Sequence, residues 1–398
     1  MQPFDSSSGS RKETYDYDLV ARVPHQGVHE CVSQGDWVYT TTLTSLNTID
    51  VSDPQNPRLK GSANAKGNEN LDVKVDGDVA GLANNRSPGG VTFFDVSNPE
   101  DPKRLSFHDA ESHVHNFFID GDNAYLCINE SFTTPKMAVV DILDPENPTK
   151  IGEWGLADDH EEMAETRLNP IHDIYVQDGL GYLCFWDGGV VIVDVSEPNR
   201  PREIAHFGAT EKSSENPLNS TEGFERHLGL PGNAHYVQPT PEGDYTLVGD
   251  ESFPGKTDSE DDGYGGIRIF DTTSVSTNSP TLDPDERDPS AKKPKAVIPP
   301  PIEPKAIIPP TLESKGDLLT SHNFDVTRSK LFASFYEGGI RAYDISDPTS
   351  PKLLASFSSK GSSYWTAVNI GASSPPSEYY TAASDIGRSI EILRLGYE

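Results

Sequence analysis

The sequence predicts an all-β chain folded as a seven-bladed β-propeller of four-stranded antiparallel blades, and three observations predict it. A strand ending in Asp, an Asp-Pro turn and a second Pro before a short strand recur as IDVSDPQNPRL (49–59), FDVSNPEDPKRL (94–105), VDILDPENPTKI (140–151), VDVSEPNRPREI (193–204) and YDISDPTSPKLL (343–354). A weaker copy begins at IFDTTS (269–274). The repeated Asp50, Asp95, Asp141, Asp194, Asp271 and Asp344 lie 45, 46, 53, 77 and 73 residues apart. The shortest spacing is one four-stranded blade, and the longer ones are blades with insertions. The third observation concerns the ends: YDLVARVP (17–24) reads like a fourth strand but precedes the first repeat, while the last repeat stops after three strands. Pairing the two closes the ring and removes the open edge.

The clearest repeat runs from His172 to Phe207. IHDIYVQ alternates, a DG turn follows, LGYLCFW alternates again, and a GG break leads into the β-branched run VVIVDV, the EPNRP turn and REIAHF. Alternation punctuated by Asp-Gly, Gly-Gly and Pro-rich turns is the strand and hairpin signature. A helical period is present only in ADDHEEMAETRL (157–168). Laid on this template, the chain divides into a disordered tail (1–14) and a single propeller domain (15–398). Its blades fall near 28–61, 70–107, 114–154, 172–207, 234–310, 322–356 and 364–394, the last completed by the closing strand 17–24. A Pro-rich insertion (274–316) interrupts blade five with the near-duplicates PKAVIPPPIE and PKAIIPPTLE. One copy supplies that blade's fourth strand and the other is a polyproline-like spacer. The repeated Asp residues cap the Asp-Pro turns.

The IDVS-DP and VDVS-EP wording, with VVIVDVS at 190–196, resembles the LVIVD-repeat family of β-propellers over nearly all of 17–398. With the acidity described next, the chain looks like a haloarchaeal-type member. The resemblance implies the architecture; chemistry has to be argued from the site, because one fold hosts many functions.

Acidic residues outnumber basic ones 63 to 32, a formal charge of −31. That sign disfavours nucleic acid and anionic membranes, whose phosphates demand the opposite charge. Self-repulsion of this size calls for screening, and molar salt shortens the Debye length to about 3 Å, so a halophilic protein is expected. Three cysteines form no disulfide framework and read as buried thiols. No apolar run is long enough to span a membrane. The chain as it stands reads as a cytoplasmic monomer, and as extracytoplasmic if a leader has been removed.

A second pattern sits at the start of each innermost strand. His29, His115, His172, His235 and His322 occupy that position in five blades, with Asn70 in a sixth. Propeller topology puts all of them around one mouth of the central channel. Reflection through the hairpin turns sets His172 against Asp187, His235 against Asp250 with Glu251 beside it, His115 near Asn129 and Glu130, and His322 near Glu337. The same reflection sets Asn70 against Asn84 and His29 against Thr40. His113 stands beside this set, and the insertions on the same face add His227, His160, Glu161 and Glu162. Imidazoles backed by carboxylates suit a divalent transition metal such as Cu or Zn, and do not suit Mg. The expected function is therefore a propeller that binds such a metal, or a small ligand, at a His- and acid-lined mouth. Two other readings stand beside it. One is a protein-interaction scaffold in which each His hydrogen-bonds a backbone carbonyl. The other is a metal-dependent oxidoreductase that resembles the selenium-binding, methanethiol-oxidising propellers. The run DSEDDGYGG (258–266) lacks Ca²⁺-loop spacing and reads as solvated acid.

Overall fold

A computed structural model describes residues 15–129, 134–159, 169–209, 233–251, 265–276, 304–308, 320–371 and 378–397. Its strands form seven four-stranded antiparallel sheets. Six are built from consecutive strands, spanning 31–64, 70–109, 114–155, 173–207, 234–308 and 324–357. The seventh joins Tyr364–Ile370, Tyr379–Asp385 and Ser389–Tyr397 to the first strand of the chain, Tyr15–Pro24. The one described helix is the single turn Leu156–Asp159. Pro304–Ile308, from the second copy of the decamer, is the fourth strand of blade five.

Each adjacent pair of blades encloses an apolar core. Tyr125, Met137 and Val139 of blade three, for example, pack against Ile174, Leu183, Val191 and Val193 of blade four. A strand sandwiched in this way is buried on both faces, so it is a continuous apolar run rather than an alternating one. All five residues of Val190–Asp194 are buried for that reason. Cys31, Cys127 and Cys184 are free and buried in these cores.

The repeated Asp residues cap their turns. Asp50, Asp95, Asp194 and Asp344 each accept, through Oδ1, the N–H two residues ahead at 2.9–3.0 Å. The turn then serves the preceding blade. Every fourth strand carries a bulge: Gly61 and Leu59 pair with the neighbours Thr48 and Ile49, and Gly152 and Lys150 pair with Val139 and Val140. A small residue follows each bulge, and there the next blade's turn docks. A Cβ on Gly61 would lie 2.5 Å from the Pro99 carbonyl oxygen, and one on Gly152 would lie 2.3 Å from that of Pro198. Ser106, at the same place in blade two, instead donates its hydroxyl to the Pro145 carbonyl at 2.6 Å. Gly61→Val should therefore destabilise the protein by about 2–3 kcal/mol through overpacking. The neighbouring exposed Leu59→Lys should stay within about 0.5 kcal/mol of the parent. Urea unfolding of the two variants measures the contrast.

Candidate metal centre

The innermost strands bulge where they begin. Ala234 and Tyr236 pair with the adjacent Asp250 and Gly249, which leaves His235 as the extra residue. Tyr364 and Thr366 likewise pair with Asp385 and Ser384 and leave out Trp365. A bulged residue loses its ladder partner and its side chain is re-aimed. Four imidazoles meet as a result. His115 and His172 approach to 2.9 Å between their Nε2 atoms. Ring centroids then run 3.8 Å from His172 to His235, 4.2 Å from His235 to His322 and 4.2 Å from His322 to Trp365. His29 stands at the end of this arc, edge-on to Trp365 at 5.8 Å.

Two members are anchored by backbone. His322 Nδ1 donates to the Trp365 carbonyl at 2.7 Å and His29 Nδ1 to that of Gly27 at 3.0 Å. This fixes the tautomer and leaves Nε2 of each as a lone pair. The middle of the arc has no anchor of that kind at hydrogen-bond geometry, although the His235 backbone lies near enough to favour a proton on His172. His172 Nδ1 and both ring nitrogens of His235 are buried without a hydrogen-bond partner among the described residues. Orphaned buried nitrogens cost free energy unless something fills their coordination.

Glu251 is the acid that completes the group. Its Oε2 lies 3.5 Å from His235 Nε2, and donor atoms of His172, His235 and Glu251 all fall within 4.8 Å of one another. Tyr336 donates its hydroxyl to Glu251 Oε1 at 2.6 Å and holds the carboxylate. Burial pushes Glu251 up to about 7. It pushes His115 down to about 4 and His322 down to about 3, with His172 and His235 held well below the usual imidazole range. The imidazoles are therefore neutral at pH 7, the form that ligates metal.

One residue further along each strand the collar turns acidic. Glu30, Asp72, Asn116, Asp173 and Asn323 are all buried and follow His29, Leu71, His115, His172 and His322. Asn116 Nδ2 donates to Asp173 and Asn323 Nδ2 to Glu30, each at 2.6 Å. Lys74 meets Asp72 at 2.5 Å. Burial works against its charge, but Asp72, Asp173 and Glu30 together hold the ammonium above its ordinary value. Burial pushes Glu30 up to about 7 and raises Asp72 and Asp173 as well.

The other residues singled out from the sequence lie around this arrangement. Asn70 is one position ahead of its blade's collar residue, Leu71, and donates Nδ2 to the Leu43 carbonyl at 2.8 Å. Asp250 faces Ala234 rather than His235 and pairs with Arg268 at 2.7 Å. The blade-four hairpin is tighter than reflection anticipates: Asp173 pairs with Cys184, so Asp187 lies in the following turn, where it is buried. Glu337 is at the matching turn of blade six and is exposed, as is His113. Glu130, His227, His160, Glu161 and Glu162 lie outside the described residues, as does most of the 258–266 run.

Sequence reasoning passed over Trp186, Tyr336 and Trp365. The first two occupy one repeat position, FWDGG (185–189) and FYEGG (335–339), and both have positive φ, 35° and 41°. For a bulky side chain this is strained by about 1–3 kcal/mol and must be held by its surroundings. Trp186 exchanges both backbone hydrogen bonds with Ala234, and Tyr336 accepts one from Tyr364 at 3.1 Å. The strained turns therefore stitch neighbouring blades together at the mouth.

The LVIVD repeat model matches residues 32–65, 171–207 and 338–359. No curated protein matches the chain. Among solved structures, the Myceliophteria thermophila Cps50 (Swd1) β-propeller domain is similar, with a TM-score of 0.62 and 12% identity over 95% of this chain and 99% of that one. The RRP9 WD40 repeats align with a TM-score of 0.59 and 9% identity, over 96% and 98%. Saccharomyces cerevisiae Sqt1 aligns with a TM-score of 0.55 and 9% identity, over 93% and 84%. At such identities the likeness is one of fold alone. No helix among the described residues is long and apolar enough to cross a membrane. Repeats and architecture together make the chain a seven-bladed β-propeller that carries LVIVD repeats.

Proposed function

We propose that this propeller binds a divalent transition metal, zinc or copper, at the mouth of its channel, with His172, His235 and Glu251 as ligands. The observation that carries the reading is the convergence of their donor atoms within 4.8 Å, with His172 Nδ1 and both ring nitrogens of His235 lacking a hydrogen-bond partner among the described residues. Two neutral imidazoles and a carboxylate are a donor set for zinc or copper rather than for magnesium. His115 and His322 flank the ligands, and the Tyr336 hydrogen bond aims the carboxylate as outer-shell partners do.

Elemental analysis and calorimetric titration of the full chain test this. One zinc or copper per chain is expected, and His172→Ala, His235→Ala and Glu251→Gln should each lose more than the about 10–100-fold in affinity that follows removal of an outer-shell partner. Tyr336→Phe should fall within that smaller range. Binding unchanged in all four variants would overturn the assignment.

Three protein ligands leave a coordination position open, as in reactive rather than structural metal sites. This favours, as a second reading, a metal-dependent oxidoreductase. Oxygen uptake by the copper-loaded chain with a small thiol, lost in His172→Ala, is the result expected of it.

A further inference from the structure

Blade five has one fourth strand and two stretches of sequence that match it. Pro304–Ile308 pairs antiparallel with Ile267–Asp271. Ile308 faces Ile267, Ile307 faces Arg268, Ala306 faces Ile269 and Pro304 faces Phe270, with Lys305 left over in the bulge. Ten residues earlier the chain reads Pro294, Lys295, Ala296, Val297 and Ile298, outside the described residues. We propose that the two copies compete for this one edge position, so that blade five exchanges between two registers ten residues apart.

Three observations carry the inference. The first is identity at the positions the register uses. Proline, lysine, alanine and the final isoleucine recur in the same order, and the residue facing Arg268 changes by one methylene, Ile307 against Val297. Even a fully buried methylene alters the ratio of the two registers only about fourfold. The second is pattern. Side-chain pattern sets register, and a slip of one residue turns every side chain to the wrong face, whereas a shift of ten returns each residue type to its place, the bulged lysine included. The third is slack. Seven residues join third to fourth strand in blades one and four, from Asp50 to Arg58 and from Asp194 to Arg202. In blade five residues 272–303 do so, and residues 272–293 would remain if the first copy docked. Both connections are ample, and closure entropy changes little between them.

The exchange has a direction in the fold. The link from a fourth strand into the next innermost strand lies at the mouth, where Thr320 donates its hydroxyl to the Asp250 carbonyl at 2.9 Å. With the second copy docked, that link is 309–323; with the first docked, it is 299–323. Ten residues thus pass from the turn face of the ring to the face that carries the imidazoles. The inference holds whether or not a metal is bound there.

Hydrogen exchange read by mass spectrometry, with melting curves, tests this on the full chain and three variants. The variants replace Pro304–Ile308, residues 294–298, or both with Gly-Ser-Gly-Ser-Gly. Replacing Pro304–Ile308 should slow exchange at residues 295–298 about tenfold, because the first copy then takes the slot. Replacing 294–298 should slow exchange at residues 305–308, whose protection in the parent is held to about fivefold by the competing copy. Each single replacement should keep one cooperative melt near that of the parent, and the double replacement should melt clearly lower. If residues 295–298 exchange equally fast in the parent and in the Pro304–Ile308 variant, the exchange is overturned. A Pro304–Ile308 variant that melts as low as the double replacement, or fails to fold, overturns it too, since a competent first copy would have filled the slot.

Discussion

Deletion of residues 15–24 should abolish cooperative unfolding and leave a chain that aggregates at neutral pH. The strand Tyr15–Pro24 pairs with Ser389–Tyr397 along its whole length, from Tyr15 opposite Tyr397 to Pro24 opposite Ser389. Without it, Ser389–Tyr397 becomes an unprotected edge, the template on which strands of other molecules add. Tyr17 and Val23 leave the cores on either side of the last blade, and each buried side chain of that size contributes about 1.5–3 kcal/mol. The latch goes too. Arg22 donates to Glu391 through Nε at 2.8 Å and Nη2 at 2.5 Å, and Tyr364 donates to the other oxygen of Glu391 at 2.7 Å. Glu391 is fully buried, so its carboxylate loses its cation and stays out of water, a costly state. The total approaches the whole stability of a domain, about 5–15 kcal/mol. Circular dichroism through a urea gradient reads the effect. A two-state transition retained by the deletion variant would show that the other six blades hold the ring without the strand.

The second large effect is expected in acid. Metal-free protein should lose stability steeply below about pH 4.5, and the imidazole arc should be a main cause. In the unfolded chain His takes up a proton near pH 6.5. In the fold, burial delays this to about 4 for His115 and about 3 for His322, and His172 and His235 are also shifted well downward. Their contribution is complete above pH 6.5 and is lost as pH falls from there toward 3. Glu30 and Glu251 act in the opposite direction. Burial raises both to about 7, so what they contribute is complete below the unfolded glutamate value and is lost as pH rises to 7. The two sets oppose one another between about pH 4.5 and 6.5, which predicts a shallow profile there. Below that window Glu30 and Glu251 no longer oppose the imidazoles. Asp72, Asp173 and Asp250, which burial also raises, cease to oppose them near the ordinary aspartate value of about 3.9. There each imidazole still uncharged in the fold contributes up to about 1.4 kcal/mol per pH unit. His235→Gln combined with His322→Gln should flatten the acid limb by about half. Urea midpoints measured from pH 3 to 7 give the slopes, and an acid limb equally steep in the double variant would remove the imidazoles from the explanation.

Much of the fold is legible in the chain because its signals are local and repeated. Asp-Pro turns with their caps, β-branched runs between Gly-rich breaks, and a fourth-strand segment lying ahead of the first repeat all act over a few residues. The period makes each copy support the others. The collar is legible as a position, since His opens five of the seven first strands, but not as a geometry. Reflection through the hairpins places His172 opposite Asp187 and His235 opposite Asp250. The shorter blade-four turn and the bulge at His235 redirect both. A one-residue bulge carries no strong sequence signal, yet it turns a side chain from one face of a strand to another.

The acidic layer shows the same limit. The pairs His29-Glu30, His115-Asn116, His172-Asp173 and His322-Asn323 are adjacent in sequence, and alternation alone sends such neighbours to opposite faces of a strand. Lys74 meets carboxylates from three blades, and Glu251 meets a tyrosine 85 residues away. The sequence by itself determined the seven sheets and their order, because hydrogen-bonded neighbours in this fold are also neighbours in the chain. It also determined the one exception, the closing pair Tyr15–Pro24 and Ser389–Tyr397, because a fourth-strand segment lies ahead of the first repeat while the last repeat stops after three strands. Only the tertiary structure decided which side chains meet on the axis. Those contacts join residues some fifty positions or more apart, such as His115 and His172. They are set by bulges and by the packing of whole sheets around a common centre, neither of which any short stretch of the chain encodes.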